Sequence, residues 1–322
     1  MTRWVIWLSR LVLLFVGLQF LWIAIPRRLP PPPETVSAAA PQHTGWFNFK
    51  KPGPAGPNPA VWVVEDADSR IYLFGTIHVL QPGTQWQSET FLSALNNSDS
   101  VWIETRFDDE TPDEQARLQR LGTNPRQRLT STLPPEHRAR LIQVAADMEI
   151  PLEALELTEP WLASLVIGGD GLQFGGYRTE SGVEFALQRA AGFRGLPVRE
   201  MEETGPHMRL MSDLPAKVQE AMLVSAMYSG SSLGSVDRVV STWIKGDTSA
   251  IAASTQEMKV ENPELYAVLI ERRNSAWADK IEQMLEGSEN HLVAVGAGHL
   301  VGPDSVQAKL ATRGVRARRL QD

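Results

Sequence analysis

The sequence predicts an α/β fold: a central mixed sheet from two related halves, covered by helices, with a helical insertion in the second half. Three observations lead there. Apolar runs of strand length alternate with helical stretches from Val61 to Leu320. Two distant segments, Tyr72-Leu73-Phe74-Gly75-Thr76-Ile77-His78-Val79-Leu80 and Leu292-Val293-Ala294-Val295-Gly296-Ala297-Gly298-His299-Leu300-Val301, repeat one phrase. Each is an apolar run, a glycine, two residues, a histidine and apolar residues again. The composition, 43% hydrophobic and 21% charged over 322 residues, is enough for a sizeable core.

The elements follow in order. Val61 to Val64 and Ile71 to Ile77 read as strands joined by the polar turn Glu65 to Arg70, which suits a hairpin. Ser88 to Asn97 reads as a helix, and Ser100-Val101-Trp102-Ile103-Glu104 as a short strand ending in a carboxylate. Pro112 to Leu121, Pro135 to Met148 and Pro160 to Ile167 read as helices, each with proline in its first turn. Gly168 to Tyr177 reads as a glycine-rich loop, Gly182 to Ala191 as a helix and Leu196 to Met201 as a short strand. Residues 214 to 286 are helical by pattern, clearest over Pro215 to Tyr228 and Val236 to Lys245, with one long helix from Pro263 to Leu285. After the second histidine phrase, Pro303 to Arg313 reads as a helix ended by Gly314, and Val315 to Leu320 as a closing strand.

Ahead of this domain, placed at 60–322, lie two other segments. Val5 to Ile25 is apolar except for Ser9, Arg10 and Gln19, and has the length of a membrane span. Trp4, Trp7 and Trp22 sit near its ends, where interfacial tryptophans are favoured. Residues 1–28 are therefore expected to be an anchor, with the domain facing the periplasm or another extracytoplasmic space. Secretion after signal cleavage is the alternative. Ser37-Ala38-Ala39-Ala40 lies too far past the apolar core for an ordinary cleavage site. Residues 29–59, with Pro30-Pro31-Pro32-Pro33 and a second Pro/Gly stretch over 52–59, read as a stiff stalk.

Composition narrows the chemistry. The absence of cysteine excludes thiolate nucleophiles, disulfides and cysteine-based zinc sites. A net charge of -7 argues against a nucleic-acid partner. No His-Glu-x-x-His segment and no P-loop occurs. Gly230-Ser231-Ser232-Leu233-Gly234 has the letters of a nucleophile elbow but lies between helices rather than after a strand. Gly296-Ala297-Gly298 fails the spacing of a dinucleotide loop.

What remains is a set of polar groups at strand ends. His78, Glu104 and His299 each follow an apolar run, and sites in open α/β sheets gather at the carboxyl ends of strands. Imidazoles with carboxylates form an ordinary ligand set for Zn, Mn or Fe. A lone histidine after a strand is usually a hydrogen-bonded core residue, but the repeated phrase favours one shared site. Glu184, at a helix start, also suits the helix dipole. Glu202 follows the strand ending at Met201 and is either a ligand or base, or an exposed acid beside Glu200 and Glu203. Arg273 shares a helix with Leu269, Ile270 and Trp277 and could neutralise a carboxylate or an oxyanion, or form a surface ion pair. His43, His137, His207 and His291 have no comparable context.

From about Val61 to Leu320 the chain resembles the TraB/GumN family, which includes the Tiki proteases. The strongest marks are Leu73-Phe74-Gly75-Thr76-Ile77-His78, Glu104, and Val295-Gly296-Ala297-Gly298-His299-Leu300. Supporting marks are Glu159-Pro160-Trp161, Gly182-Val183-Glu184, Trp243 with Gly246-Asp247, and Arg273-Asn274. The resemblance implies an α/β fold distantly similar to erythromycin esterase and ChaN-like proteins, and a hydrolytic site that uses a divalent metal, Mn or Co in Tiki members. Carried over, His78, Glu104 and His299 would be the core members, with Glu202 as the second glutamate and Glu184 as the reserve choice. The expected metal ligands are then His78, His299, Glu104 and Glu184, and the expected catalytic groups Glu104, Glu202 and Arg273. Two departures stand out. Met201-Glu202-Glu203-Thr204 with His207 replaces the family's Leu-Glu-Thr and Gln, and Glu184 stands where Asp is common.

The expected function is a membrane-anchored, envelope-facing metal-dependent hydrolase acting on a peptide or protein, with Mn, Co, Zn or Fe as cofactor. In that mechanism the metal lowers the pKa of a bound water and polarises the scissile carbonyl. The alternative is a non-catalytic envelope protein that binds or regulates.

Overall fold

The computed structural model describes residues 56–105, 116, 119–203, 209–229 and 233–320. The anchor, nearly all of the stalk, most of the helix expected at Pro112 to Leu121, and His207 lie outside the described residues. Among the described residues no helix is long and apolar enough to cross a membrane.

One six-stranded mixed sheet organises the domain, in the order β4-β3-β5-β2-β1-β6. β1 (Val61–Glu65) and β2 (Arg70–Thr76) form the expected antiparallel hairpin. Its turn is held by Asp66 Oδ1, which accepts from the Asp68 and Ser69 backbone N–H groups. Asp and Ser favour such turns because their side chains satisfy nearby backbone groups. β2 runs parallel to β5 (His291–Gly296), β5 parallel to β3 (Ser100–Ile103), and β3 parallel to β4 (Val198–Glu200). The short β6 (Arg318–Arg319) closes the far edge against β1.

β2 beyond its first residue and all of β5 are buried, as strands covered on both faces must be. Alternation splits their side chains between two cores. Tyr72, Phe74, Leu292 and Ala294 face the larger core, which the helical insertion covers. Ile71, Leu73, Val293 and Val295 face a smaller core with Trp277, Ile281 and Leu310.

The helices are α1 (Glu89–Asn96), α2 (Leu129–Thr132), α3 (Pro135–Asp147), α4 (Leu152–Glu156), α5 (Pro160–Phe174) and α6 (Val183–Arg194) in the first part. The insertion holds α7 (Ala216–Ser229), α8 (Leu233–Ile244), α9 (Ser249–Glu261), α10 (Pro263–Tyr266) and α11 (Arg272–Leu285). A 3-10 turn, Ala297–Leu300, follows β5, and α12 (Val306–Ala311) completes the chain.

Two expectations are corrected, and a third gains a detail. The glycine-rich loop from Gly168 is helix as far as Phe174, because α5 is packed against α7 and buries Leu162, Ala163, Val166, Ile167 and Leu172. Burial there outweighs the low helix propensity of glycine, a cost of about 1 kcal/mol per residue. The long helix from Pro263 runs on to Leu285 as expected and contains a π-helical turn over Ala267–Glu271, a feature frequent at functional sites. The last helix starts three residues later than expected, capped by Ser305, whose Oγ accepts from the Ala308 N–H.

Candidate functional site

All four parallel strands deliver a polar side chain to one edge of the sheet. His78 lies just past β2, Glu104 just past β3, Glu202 just past β4, and His299 in the 3-10 turn after β5. The pairing of β3 with β4 continues through Met201 N–H to Ile103 O at 2.8 Å and Glu202 N–H to Glu104 O at 3.0 Å, so the two glutamates leave the sheet side by side. Gly296, at the end of β5, lies where the groups converge. A Cβ there would come within 3.1 Å of Glu104 Oε1, 3.3 Å of His78 Nε2 and 3.6 Å of His299 Cδ2. Only glycine leaves that space to the site.

Arg273, in the first turn of α11, binds the floor together. Its Nε donates to Glu202 Oε2 at 3.2 Å, and one terminal nitrogen donates to Glu104 Oε2 at 3.0 Å and to Glu202 Oε1. The other donates to the Leu269 carbonyl at 3.2 Å and to His299 Nε2 at 3.0 Å. A guanidinium has five N–H donors, and here every one has a protein acceptor. Leu269 belongs to the π-helical turn, so that turn supplies one of those acceptors. The Trp277 ring lies 4.5 Å from the guanidinium carbon and 4.5 Å from the His299 ring, supporting both. Burial opposes the charge on Arg273, but Glu104 and Glu202 hold its pKa above the ordinary value. Burial would likewise raise Glu104, yet the Arg273 guanidinium, helped by the Gly296 N–H at 2.7 Å, holds its carboxyl far below the usual carboxylate range.

The two histidines present the same nitrogen to different partners. His299 Nδ1 is 2.6 Å from Asn274 Oδ1. Asn274 Nδ2 donates to the carbonyls of His299 and Asp304, so Oδ1 must accept. His299 is therefore the Nδ1–H tautomer, with its Nε2 lone pair facing Arg273. Burial and the guanidinium push its pKa down to about 3, so it is neutral. His78 Nδ1 lies 2.6 Å from Glu184 Oε1. That contact is too oblique for a well-formed hydrogen bond, leaving neither Glu184 oxygen a hydrogen-bond donor among the described residues. The charge attraction does not depend on that alignment. Burial opposes a cationic His78, but Glu184, with Glu104 farther off, outweighs it and pushes the pKa up to about 9.

Glu184 reaches His78 because α6 starts against the strand end. Val183 N–H donates to Ile77 O at 3.1 Å, and a Cβ on Gly182 would fall 2.1 Å from the His78 carbonyl oxygen. The approach thus requires glycine.

These groups form the floor of a cleft of about 360 Å³. His78, Glu104, Arg273 and His299 line it, beneath apolar walls that include Leu172 of α5, Val236 and Val239 of α8, Ile251 and Met258 of α9, and Ile270. The six residues singled out in the sequence are all brought together here, though in unequal positions. Glu202 sits behind Arg273, and Glu184 behind His78. In the sequence Asn274 and Trp277 stand out only as a motif mark and part of a helix face. Their signal was an Arg-Asn pair on a face otherwise formed by Leu269, Ile270 and Trp277.

Among the described residues, no three His, Asp or Glu side chains are arranged to hold a metal ion. The physical reason lies in two contacts. Arg273 takes the Nε2 of His299, and Glu184 approaches His78 from the Nδ1 side, away from Glu104. The residues as placed do not enclose a cation.

The sequence pattern that describes the TraB/PrgY/gumN family matches residues 60–319. This chain belongs to that family. Within it, the chain is similar to the uncharacterized protein YbaP of Escherichia coli K12, at 25% identity over 258 residues, covering 78% of this chain and 92% of YbaP. YbaP of Shigella flexneri matches with the same identity and coverage. The TraB/PrgY/gumN match thus spans the whole sheet from β1 to β6 and every residue of the cleft floor.

Proposed function

We propose that this TraB-family chain is an envelope-facing hydrolase, anchored by residues 1–28, that cleaves an amide bond in a peptide or protein held in the cleft. One observation carries the reading: His78 Nδ1 lies 2.6 Å from a buried carboxylate while Nε2 reaches the cleft floor beside Glu104. A carboxylate-backed imidazole is the usual side chain for moving a proton in catalysis.

His78, in the fraction that is deprotonated as pH rises toward about 9, accepts a proton from water as the water oxygen bonds to the carbonyl carbon. The carbonyl electron pair moves onto oxygen. When the pair returns, the C–N bond breaks, and His78 gives its proton to the departing amine. Water and amide are thereby converted to acid and amine with no other reactant. Arg273, whose donors are all engaged, holds Glu104, Glu202 and His299 in place rather than contacting the oxyanion.

A second reading keeps the metal expected from the resemblance, one of Mn, Co, Zn or Fe. It is favoured by an oxygen 2.6 Å from each Nδ1 atom, Glu184 Oε1 at His78 and Asn274 Oδ1 at His299, the manner in which ligand histidines are oriented. That reading requires Arg273 to release His299 Nε2.

The test uses the full chain in detergent and an equimolar library of unmodified synthetic peptides, read by mass spectrometry for new termini. Cleavage that survives EDTA and is lost in His78→Ala supports the first reading. Cleavage abolished by EDTA and restored by one of the four metals supports the second. No cleavage under any condition by folded protein leaves a binding or regulatory role.

A further inference from the structure

Thr76 is the last residue of β2 and pairs with Gly296 of β5. It lines the cleft, is only 1% exposed, and its Oγ1 has no hydrogen-bond partner among the described residues. A buried hydroxyl without a partner lowers stability, so an unpaired one in a native fold points to a use outside the fold. The strand end does not need it. In the repeated phrase the same place is held by Ala297, which follows Gly296 as Thr76 follows Gly75. That second copy makes its turn with a methyl group alone.

The hydroxyl also fills a gap in the chemistry. Hydrolysis of an amide builds negative charge on the carbonyl oxygen, and a donor aimed at that oxygen is among the strongest contributions a site can make. Arg273 cannot serve without breaking a bond it already makes, and His78 Nε2 is occupied with the proton of water. We propose that Thr76 is the side-chain donor to the substrate carbonyl oxygen, an inference that rests on the hydrolase reading above. Its hydroxyl turns toward the oxygen as charge develops and needs no protein bond to be broken first.

The test compares Thr76→Ser, Thr76→Ala and Thr76→Val with wild type in the full chain, using the same peptide library. Ser and Ala both remove the methyl group and differ only in the hydroxyl. Expected are initial cleavage rates for Thr76→Ser within a few-fold of wild type, and rates for Thr76→Ala and Thr76→Val lower by about a hundred-fold or more. The melting temperature of Thr76→Val, which keeps the shape and removes the unpaired hydroxyl, should equal or exceed that of wild type. Equal rates for Ser and Ala, or a lowered melting temperature for Val, would overturn the proposal and assign the hydroxyl to the fold. His78→Ala separates the two levels. If wild type cleaves, His78→Ala does not, and Thr76→Ala does, this proposal alone falls. If wild type does not cleave at all, it falls together with the hydrolase reading.

Discussion

The two Gly-x-x-His strand ends carry nearly the same sequence and opposite electrostatics. β2 and β5 are neighbours, parallel, and paired residue for residue from Ile71 to Thr76. Both histidines use Nδ1 to hold a partner and point Nε2 at the same floor. His78 meets the carboxylate of Glu184 and is driven up to about 9, whereas His299 meets Asn274 and Arg273 and is driven down to about 3. The repeat therefore sets where an imidazole goes, and the helix packed behind it sets what the imidazole can do. Glu184 comes from α6 and the Arg273-Asn274 pair from α11, on unrelated stretches of chain. One phrase thus yields an imidazole that favours its charged form at one copy and a neutral hydrogen-bonding post at the other.

The sharpest break of this comparison is in activity. His78→Ala should lower the cleavage rate by about 10²–10⁴, the usual contribution of an acid–base group. His299→Asn should cost less, because its ring moves no proton in the proposed sequence. Equal losses, measured by initial rates on one cleaved peptide, would mean that the copies share a role and that the electrostatic contrast is irrelevant to function.

The next effect is on stability. Arg273→Met removes the guanidinium that binds Glu104, 5% exposed, and the partly buried Glu202. Removing one partner of a buried ion cluster costs about 3–5 kcal/mol. Arg273→Lys should recover only part of that, because an ammonium lacks the planar fork that reaches both carboxylates and His299. Urea denaturation of the three proteins checks the order. A cost for Arg273→Met below about 1 kcal/mol would place the pair in the class of surface ion pairs instead.

Much of this was legible in the sequence, for identifiable reasons. β2 and β5 are covered on both faces, so their residues form apolar runs, and the glycine marks the strand end where a site can form. Glu104 was found by the same logic. Residues that enter from helices were harder to place. A carboxylate in a helix's first turn reads the same whether it faces solvent or an imidazole. Only the contact of Gly182 with the His78 backbone decides it for Glu184. For Arg273 the sequence leaves open a partner for a carboxylate or oxyanion and a surface ion pair, because the π-helical turn that supplies the Leu269 carbonyl leaves no clear mark in residue type. The glycines at 168, 169 and 171 misled for the opposite reason. Their local preference is for a loop, and burial against α7 overrules it.

Asn274 tests the fastening of His299 directly. Asn274→Leu removes the acceptor for Nδ1–H and the donor to the Asp304 carbonyl, leaving buried groups unpaired. The expected loss is about 1–3 kcal/mol. Asn274→Asp keeps an acceptor but places a carboxylate beside the ring, so the His299 pKa should rise and its two ring nitrogens should shift in a ¹⁵N titration. An unchanged titration would show that Asn274 does not set the tautomer.

The finest test is the pH dependence of stability, where the two copies should pull in opposite directions. An unfolded histidine titrates near 6.5, here the ordinary value for both. His78 keeps its proton in the folded state up to about 9, so its contribution is complete below 6.5 and is lost as pH rises toward 9. His299 stays neutral in the folded state down to about 3, so its contribution is complete above 6.5 and is lost as pH falls. Each limb has a slope of at most about 1.4 kcal/mol per pH unit. Glu104, held far below its ordinary carboxylate pKa, steepens the acid limb further at low pH. Together they predict a stability maximum near 6.5 from this site. Glu184→Gln should flatten the alkaline limb and leave the acid limb in place, while His299→Asn should do the reverse. Urea midpoints between pH 5 and 9 separate these outcomes, and a single variant that flattened both limbs would show that the two histidines titrate as one coupled unit rather than as opposed copies.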